Sequence, residues 1–165
     1  ALSTFIDQII DDVRRISRDL SPAVLEDMGL SAALQWLVDT RGEHAGLQVA
    51  SSIADIDHLL PRSHHIHAFR IAQEALTNAA KHARAQGVRL VADRDLDRLS
   101  LVVEDDGAGF DPQQVARRNG SARGLGLATM EERARMLGGA LTVCSRAGRG
   151  TRIALSVPVT ENGGG

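Results

Sequence analysis

Residues 71–85, IAQEALTNAAKHARA, combine an alanine-rich helical pattern with polar side chains at regular intervals. A helix turns by about 100° per residue, which places four polar residues on one arc: Glu74, Asn78, Lys81 and His82. The opposite side is apolar and mostly small: Phe69, Ala72, Leu76, Ala79, Ala80 and Ala83. The pattern predicts a helix from about residue 63 to 84 that lies closely on a sheet and turns its polar side to solvent or into a pocket.

The segments on either side of this helix alternate between strand-like and helical periods. Period-two alternation predicts five strands, at residues 47–53, 88–93, 99–104, 140–145 and 151–157. Helical periods predict further helices at residues 32–44 and 125–137, whereas residues 107–124 carry little periodic signal. This order predicts an α/β two-layer sandwich, with one mixed sheet that carries helices on one face and an N-terminal helix before it.

The ends of the early helices have recognisable signals. A short helix opens with Ser21 and Pro22, since serine caps a helix and proline suits its first turn, and it closes at Gly29. Ser31 is expected to cap the helix at residues 32–44, which ends before Gly46.

The first twenty residues carry an apolar seam with spacings of three and four: Leu2, Ile6, Ile9, Val13, Ile16 and Leu20. This spacing predicts a helix that packs on another helix in coiled-coil fashion. An ordinary amphipathic helix that covers a core is the alternative.

The composition is that of an ordinary soluble domain. Of 165 residues, 43% are hydrophobic and 24% charged, and no apolar run approaches the roughly 18 residues that cross a membrane. The net charge of −2 argues against a nucleic-acid partner, which requires an excess of Lys and Arg. The chain starts at Ala1 without a signal-peptide pattern, so we expect a piece of a longer protein, located in the cytoplasm. Cys144 lies in an alternating apolar stretch and is expected to be a buried, inert thiol.

Three segments can carry chemistry, and the first is the polar arc of the long helix. The carboxylate of Glu74 and the amide of Asn78 suit a hard Mg²⁺ ion, whereas Lys81 and His82 suit phosphate oxygens. The alternative is a solvated helix face, the usual place for charged side chains.

The second segment is VVEDDGAGF, residues 102–110. A predicted strand delivers Asp105, whose carboxylate can accept a hydrogen bond from an exocyclic amine. Gly107 and Gly109 allow a planar ring to approach the backbone closely. A tight turn of the same composition is the alternative.

The third segment is RGLGLATMEERA, residues 123–134, in which Gly124 and Gly126 precede a helix predicted to begin near Leu127. Backbone amides at the start of a helix favour phosphate, and glycines expose them. The segment is not a Rossmann fingerprint, because Thr129 stands where the third glycine belongs, and it is not a P-loop, because no GK[ST] follows.

These three segments occur in the order and approximate separation of the N, G1 and G2 boxes of the histidine-kinase ATP-binding domain, and the chain resembles the GHKL superfamily of ATPases and kinases with its Bergerat fold. Residues 73–83, QEALTNAAKHA, and residues 20–34, LSPAVLEDMGLSAAL, are similar to sensor histidine kinases of the nitrate-sensor type. The resemblance covers about residues 7–158. It implies ATP and Mg²⁺ as cofactors, and transfer of the γ-phosphoryl group to a histidine of a dimerisation domain and then to a response-regulator aspartate.

The resemblance also implies roles for residues on the long helix. Asn78 would coordinate Mg²⁺, and Glu74 would help to position metal and water or act as base. Lys81 and His82 would contact the phosphates.

Further roles follow for the glycine-rich segments. Asp105 would recognise the adenine amine, with Gly107 and Gly109 beside the ring, and Thr151 in GRGT would support the adenine pocket. The phosphates would be held by four consecutive residues: Gly124, Leu125, Gly126 and Leu127. Residues 111–123 would form a short, mobile ATP lid, as their Gly, Ser and Asn content also predicts.

The chain departs from this family in lacking the acceptor histidine. In the family that histidine lies in the first dimerisation helix, and residues 14–21, RRISRDLS, offer Ser21 instead. The resemblance therefore implies a remnant of the dimerisation domain at residues 1–30, the catalytic domain at 31–160 and a disordered tail at 161–165. We expect no autophosphorylation by this chain alone, a homodimeric parent, and membrane attachment only through parts outside the chain.

Three histidines before the long helix, His64, His65 and His67, are expected to lie at a solvated helix start rather than to accept phosphate or bind a metal. Two other functions fit the same motifs: a GHKL serine kinase of the anti-sigma type, which needs no dimerisation helices, and a non-catalytic ATP-sensing module. The apolar seam before Ser21 argues against the serine kinase.

Overall fold

The computed structural model describes residues 22–117 and 122–159. Its helices are α1 (Pro22–Met28), α2 (Leu30–Ala45), α3 (His65–Lys81), α4 (Pro112–Arg117) and α5 (Ala122–Met136). Its strands are β1 (Gln48–Ile53), β2 (Gly87–Asp95), β3 (Arg98–Asp105), β4 (Ala140–Ser145) and β5 (Thr151–Pro158). Two short 3₁₀ turns, Asp57–Leu59 and Arg62–His64, lead into α3. The helix predicted at residues 2–20 lies outside the described residues.

The five strands form one mixed sheet in the order β1-β2-β3-β5-β4. Strands β1 and β2 run parallel, and the other neighbours are antiparallel. The parallel pair is joined through α3, as a crossover requires, whereas β2 and β3 are joined by a tight turn. The predicted mixed sheet is confirmed.

Alternation along the central strands separates two faces of the sheet. Leu90, Leu101 and Leu155 point to the face covered by helices and are at most 2% exposed. Arg89 and Glu104 alternate with them and lie on the exposed face. Because the helices cover one face, the predicted two-layer α/β sandwich is confirmed.

Helix α3 packs on this sheet through the face of apolar, mostly small side chains that the sequence predicted. Phe69, Leu76 and Ala79 are almost fully buried in one continuous core. Alanine brings the helix axis close to the sheet, which holds the polar side of α3 next to the strand ends. Leu25 of α1 belongs to the same core, and the division of the chain at residue 30 stays a prediction.

The junction of α1 and α2 differs from the expected cap. Helix α2 begins at Leu30, so the prediction that Ser31 caps it from outside is wrong. Both the backbone N–H and the hydroxyl of Ser31 donate to Asp57 Oδ1, at 2.7 and 2.9 Å. Gly29, with φ 85°, turns the chain and leaves room for this carboxylate. Asp57, which is distant in sequence, thus accepts the hydrogen bond of a backbone N–H in the first turn of α2.

One further expectation was wrong. Cys144 is exposed, because β4 is an edge strand and Cys144 lies on the face that no helix covers. The segment predicted to form the lid, residues 111–123, contains α4, where the N–H of Val115 donates to the carbonyl of Asp111 at 3.1 Å. Within residues 22–117 and 122–159, no helix has the length and apolar character needed to cross a membrane.

Candidate functional site

A narrow pocket lies at one end of the sheet, between α3 and the adjoining ends of β3 and β5. Its lining combines a few polar groups with small and apolar side chains: Ala75, Asn78, Ala83, Asp105, Gly109, Phe110, Leu127, Thr151 and Ile153. The lining residues come from segments that are far apart in the sequence. Most of these segments contribute a residue that the sequence predicted to belong to the site. Concave sites with a few converging polar groups are the usual form of a small-molecule site.

Asp105, Thr151 and Ser145 form a row across three neighbouring strands. Thr151 is the direct partner of Asp105 in the β3–β5 pair and of Ser145 in the β4–β5 pair. Directly opposite side chains point to the same face, here the helix-covered face, since Thr151 is only 8% exposed. Asp105 Oδ1 accepts the N–H of Gly107 at 2.8 Å, which fixes the carboxylate. The pocket therefore receives a carboxylate and a hydroxyl side by side.

The two glycines after Asp105 are required by close packing. A Cβ at Gly107 would collide with Ala83, whose carbonyl oxygen accepts the N–H of Ala108 at 2.7 Å. Gly109 has φ 62° and lies against the carbonyl oxygen of Arg146. A side chain at either position would push the loop away from its neighbours and deform the pocket.

The polar arc of α3 enters the pocket only in part. Asn78 lines the pocket, and Glu74 lies one turn before it, half-buried. The helix ends just beyond, where the carbonyl of Asn78 accepts the N–H groups of His82 at 2.9 Å and Ala83 at 3.2 Å. Lys81 and His82 are exposed at this end and do not line the pocket.

Helix α5 begins earlier than expected. Gly124 and Gly126 lie inside its first turns, so the prediction of a helix start near Leu127 is wrong. Gly126 is buried against Glu74 where α5 packs on α3, and this packing overrides the low helix propensity of glycine. Leu127 lines the pocket, whereas Leu125 is 69% exposed.

Residues 63–161, more than half of the chain, match the family of histidine kinase-, DNA gyrase B- and HSP90-like ATPases. The chain belongs to this ATPase family. The predicted resemblance to the GHKL superfamily is confirmed, and the pocket lies within the matched residues.

Two curated relatives of this ATPase domain are histidine kinases by name. The signal transduction histidine-protein kinase/phosphatase DegS of Brevibacillus brevis is 35% identical over 159 residues, which is 96% of this chain and 40% of the relative. UhpB of Salmonella typhimurium, named in the same way, is 36% identical over 152 residues, 91% of this chain and 29% of the relative. The chain spans less than half the length of either relative.

A solved structure agrees on the fold. The blue-light activated histidine kinase EL346 of Erythrobacter litoralis superposes with a TM-score of 0.67 and 23% identity, covering 94% of this chain and 51% of that one. At this identity the likeness establishes the architecture alone.

The predicted site residues fall into three groups in the ATPase domain. Five of them line the pocket: Asn78, Asp105, Gly109, Leu127 and Thr151. Three are packed beside it: Glu74, Gly107 and Gly126. The others lie on its outer side and are exposed or half-buried: Lys81, His82, Gly124 and Leu125.

Sequence analysis missed Phe110 and Ser145. Phe110 lines the pocket, and its backbone N–H donates to Ser145 Oγ at 2.9 Å. The position of Phe110 directly after the two glycines is a signal that the sequence offered. Ser145 had none, because its contacts depend on how the β4–β5 turn folds back on the loop of Phe110.

Asp106, next to Asp105, has a structural function. Its Oδ1 accepts the N–H groups of Gln86 at 2.9 Å and Gly87 at 3.0 Å. These two hydrogen bonds, the Gly87 bond first, lower the pKa of the Asp106 carboxyl below its ordinary value of 3.8. Asp106 thereby fastens the start of β2 to the end of β3, just outside the pocket.

The histidines at the start of α3 are less solvated than expected. His65 is 1% exposed, and its Nε2–H points to the carbonyl oxygens of Asp57 and Leu60 at 3.2 and 3.3 Å, so the prediction of a solvated cluster is wrong for this residue. Burial lowers the pKa of His67, and the charges of Arg133 and His64 lower it further. The described part of the chain holds no group of three or more His, Cys, Asp or Glu side chains arranged around a metal position.

Proposed function

We propose that this domain binds ATP with Mg²⁺ and acts as the catalytic domain of a sensor histidine kinase. The γ-phosphoryl group leaves the bridging oxygen of ADP for an imidazole nitrogen of a dimerisation domain, and then moves to a carboxylate oxygen of a response regulator. This proposal rests mainly on one observation: Asn78, Asp105 and Thr151 line the same pocket of a domain that belongs to an ATPase family. The names of the relatives favour a histidine kinase over an anti-sigma serine kinase.

The base end of the pocket suits adenine. The Asp105 carboxylate accepts from the exocyclic amine, and Phe110, Leu127 and Ile153 offer apolar surface to the ring. Gly109 lines the pocket beside these side chains.

The other end suits the phosphates and a metal ion. Glu74 and Asn78 are four residues apart on α3, so their oxygen atoms lie on one side of the helix. Mg²⁺ prefers oxygen ligands and keeps waters and phosphate oxygens in its shell, so two protein ligands suffice. When bound, Mg²⁺ neutralises charge on the phosphates. Glu74 holds water or accepts a proton, and Lys81 and His82, exposed at the end of α3, contact phosphate oxygens.

Catalysis of this kind consists mainly of positioning. We infer that the acceptor histidine, the homodimer and any membrane attachment belong to segments beyond the catalytic domain at residues 31–160, and that the domain works in the cytoplasm. Residues 1–30 belong to the dimerisation domain in this proposal, residues 111–123 form the lid and residues 161–165 form a tail.

Calorimetric titration with a non-hydrolysable ATP analogue, with and without Mg²⁺, tests the binding step. We expect micromolar affinity that Asp105→Asn weakens by about 10-fold to 100-fold, because an amide NH₂ then faces the adenine amine. Asp106→Asn is the matched control, since it makes the same change one residue away and outside the pocket. Equal affinity of the Asp105→Asn variant and the unaltered chain would refute the assigned base site.

The transfer step needs a separate measurement. The chain is mixed with ATP and a dimerisation domain that carries the acceptor histidine, and acid-labile phosphate is counted. Nucleotide binding without any acid-labile phosphate would favour the non-catalytic ATP sensor, and acid-stable phosphate on serine would favour the serine kinase.

A further inference from the structure

Ser145 Oγ is the centre of a small hydrogen-bond network behind the pocket. It accepts the backbone N–H of Phe110 at 2.9 Å, and it lies 3.1 Å from the carbonyl oxygen of Gly150. Its third neighbour is Thr151 Oγ1, at 2.8 Å. Ser145 thus connects the loop of Phe110 to Thr151, and both of these residues line the pocket.

The hydrogen-bonding capacity of a hydroxyl determines how this network is arranged. A serine hydroxyl has one hydrogen to donate and two lone pairs to accept with. The Gly150 carbonyl can only accept, so all contacts are satisfied when Ser145 donates to Gly150 and accepts from both Phe110 and Thr151. In the opposite arrangement, Ser145 donates to Thr151 and the Gly150 carbonyl loses its hydroxyl donor. The first arrangement is favoured, because an unmet polar group next to the core is costly.

We propose that Ser145 is a positioning residue that makes Thr151 a hydrogen-bond acceptor toward the nucleotide base, and so selects six-amino purines over six-oxo purines. With its hydrogen directed at Ser145, the Thr151 hydroxyl presents lone pairs to the pocket. Thr151 is buried to 8% exposure, so water competes little for these lone pairs. The inference rests on the proposed nucleotide function and deepens it.

The pairing of Thr151 with Asp105 explains why the direction of one hydroxyl affects base selection. The two residues are direct cross-strand partners on the pocket side of the sheet. An exocyclic amine has two N–H groups and can donate to both acceptors directly. A six-oxo group has no hydrogen to donate and would place a third acceptor opposite these two. If Thr151 could turn its hydrogen into the pocket, it would donate to the oxo group and discrimination would fall.

The test compares ADP with IDP, two nucleotides that differ at the six position and cannot donate a γ-phosphoryl group. Their dissociation constants are measured by calorimetry for the unaltered chain and for Ser145→Ala. We expect a preference for ADP of at least about 10-fold in the unaltered chain, and a drop of that preference by about fivefold or more in the variant, because the Thr151 hydroxyl is released. If Ser145 had only a structural role, Ser145→Ala would weaken the binding of ADP and of IDP by the same factor.

Two further variants keep the test decisive. Ser145→Cys replaces the hydroxyl by a slightly larger thiol that bonds weakly and leaves no cavity, so it should fold and also lower the ADP/IDP ratio even if Ser145→Ala does not fold. Ser156→Ala is the matched control, because its hydroxyl accepts from Arg98 at 2.6 Å at the far end of β5. An unchanged ratio in folded Ser145 variants overturns this inference alone. Absence of ADP binding by the unaltered chain overturns the proposed function together with it.

Discussion

Gly126 lies so close to the carboxylate of Glu74 that a Cβ at position 126 would occupy the space of Glu74 Oε1. The contact joins α5 to α3 beside the pocket, and it explains a glycine inside a helix, where alanine would be more favourable by about 1 kcal/mol. Glycine at this position leaves room for the Glu74 carboxylate.

The first prediction is that Gly126→Ala reduces phosphoryl transfer without reducing the stability of the domain. The end of the Glu74 side chain is flexible and moves aside at little cost, so the unfolding free energy stays equal or rises by up to about 1 kcal/mol. The displaced carboxylate should reduce phosphoryl transfer to the dimerisation domain by about 10-fold or more, with nucleotide affinity largely kept. Thermal unfolding and single-turnover transfer measure the two effects. Thr129→Ala, on the exposed side of α5, is the control, and an unaltered transfer rate in Gly126→Ala contradicts the assigned role of Glu74.

The second prediction concerns Asn78 and Mg²⁺. Asn78→Asp removes an amide donor and adds a negative charge beside the phosphates, so nucleotide affinity in Mg²⁺ should fall about 10-fold or more. Gln73→Glu makes the same amide-to-acid change on the same helix, where the side chain instead accepts from Arg70 at 2.6 Å. Calorimetry of both variants with and without Mg²⁺ separates local from general charge effects. Equal losses of nucleotide affinity in the two variants would mean that Asn78 does not act on the metal or the phosphates directly.

Much of the fold could be predicted because one face of each central strand is buried. The alternation of Ile153, Leu155 and Val157 identifies β5 almost to the residue. At the edge strand the same rule fails for Cys144, because alternation groups residues by face without saying which face the helices cover. Contacts between segments that are distant in sequence could not be predicted either. Examples are the contact of the Asp57 carboxylate with Ser31 and that of Gly126 with Glu74.

The third prediction is a pH dependence of stability through Asp106. Two backbone N–H groups hold the pKa of this carboxyl below 3.8 in the folded chain, and the unfolded chain has no such bonds. The stabilisation is therefore complete above pH 3.8 and is lost as the pH falls through the lower, folded pKa. Asp106→Asn should be less stable than the unaltered chain at neutral pH, and the difference in stability should shrink as the pH falls below 3.8. Thermal midpoints against pH measure this, and a constant difference would exclude ionisation of Asp106 as the cause.

The fourth prediction concerns His67, which lies in the first turn of α3 and is affected by the charge of Arg133 in α5. Its pKa is lowered from 6.5 first by burial and then by the positive charges of Arg133 and His64. Since the unfolded chain takes up this proton at a higher pH than the folded chain, His67 costs stability as the pH falls below 6.5. Arg133→Gln should raise the pKa of His67 but leave it below 6.5, because burial, the larger cause, remains.

An NMR titration of the His67 imidazole follows the pKa directly, and thermal midpoints between pH 7 and pH 5 follow the linked stability. Arg135→Gln is the matched control, since it removes the same charge from the same helix, where Arg135 is exposed and pairs with Glu132 at 2.8 Å. The control should leave the His67 titration unchanged, because exposed charges are screened by solvent. Equal shifts in both variants would mean that His67 senses the net charge of α5, whereas a shift in Arg133→Gln alone establishes the local contact between α3 and α5.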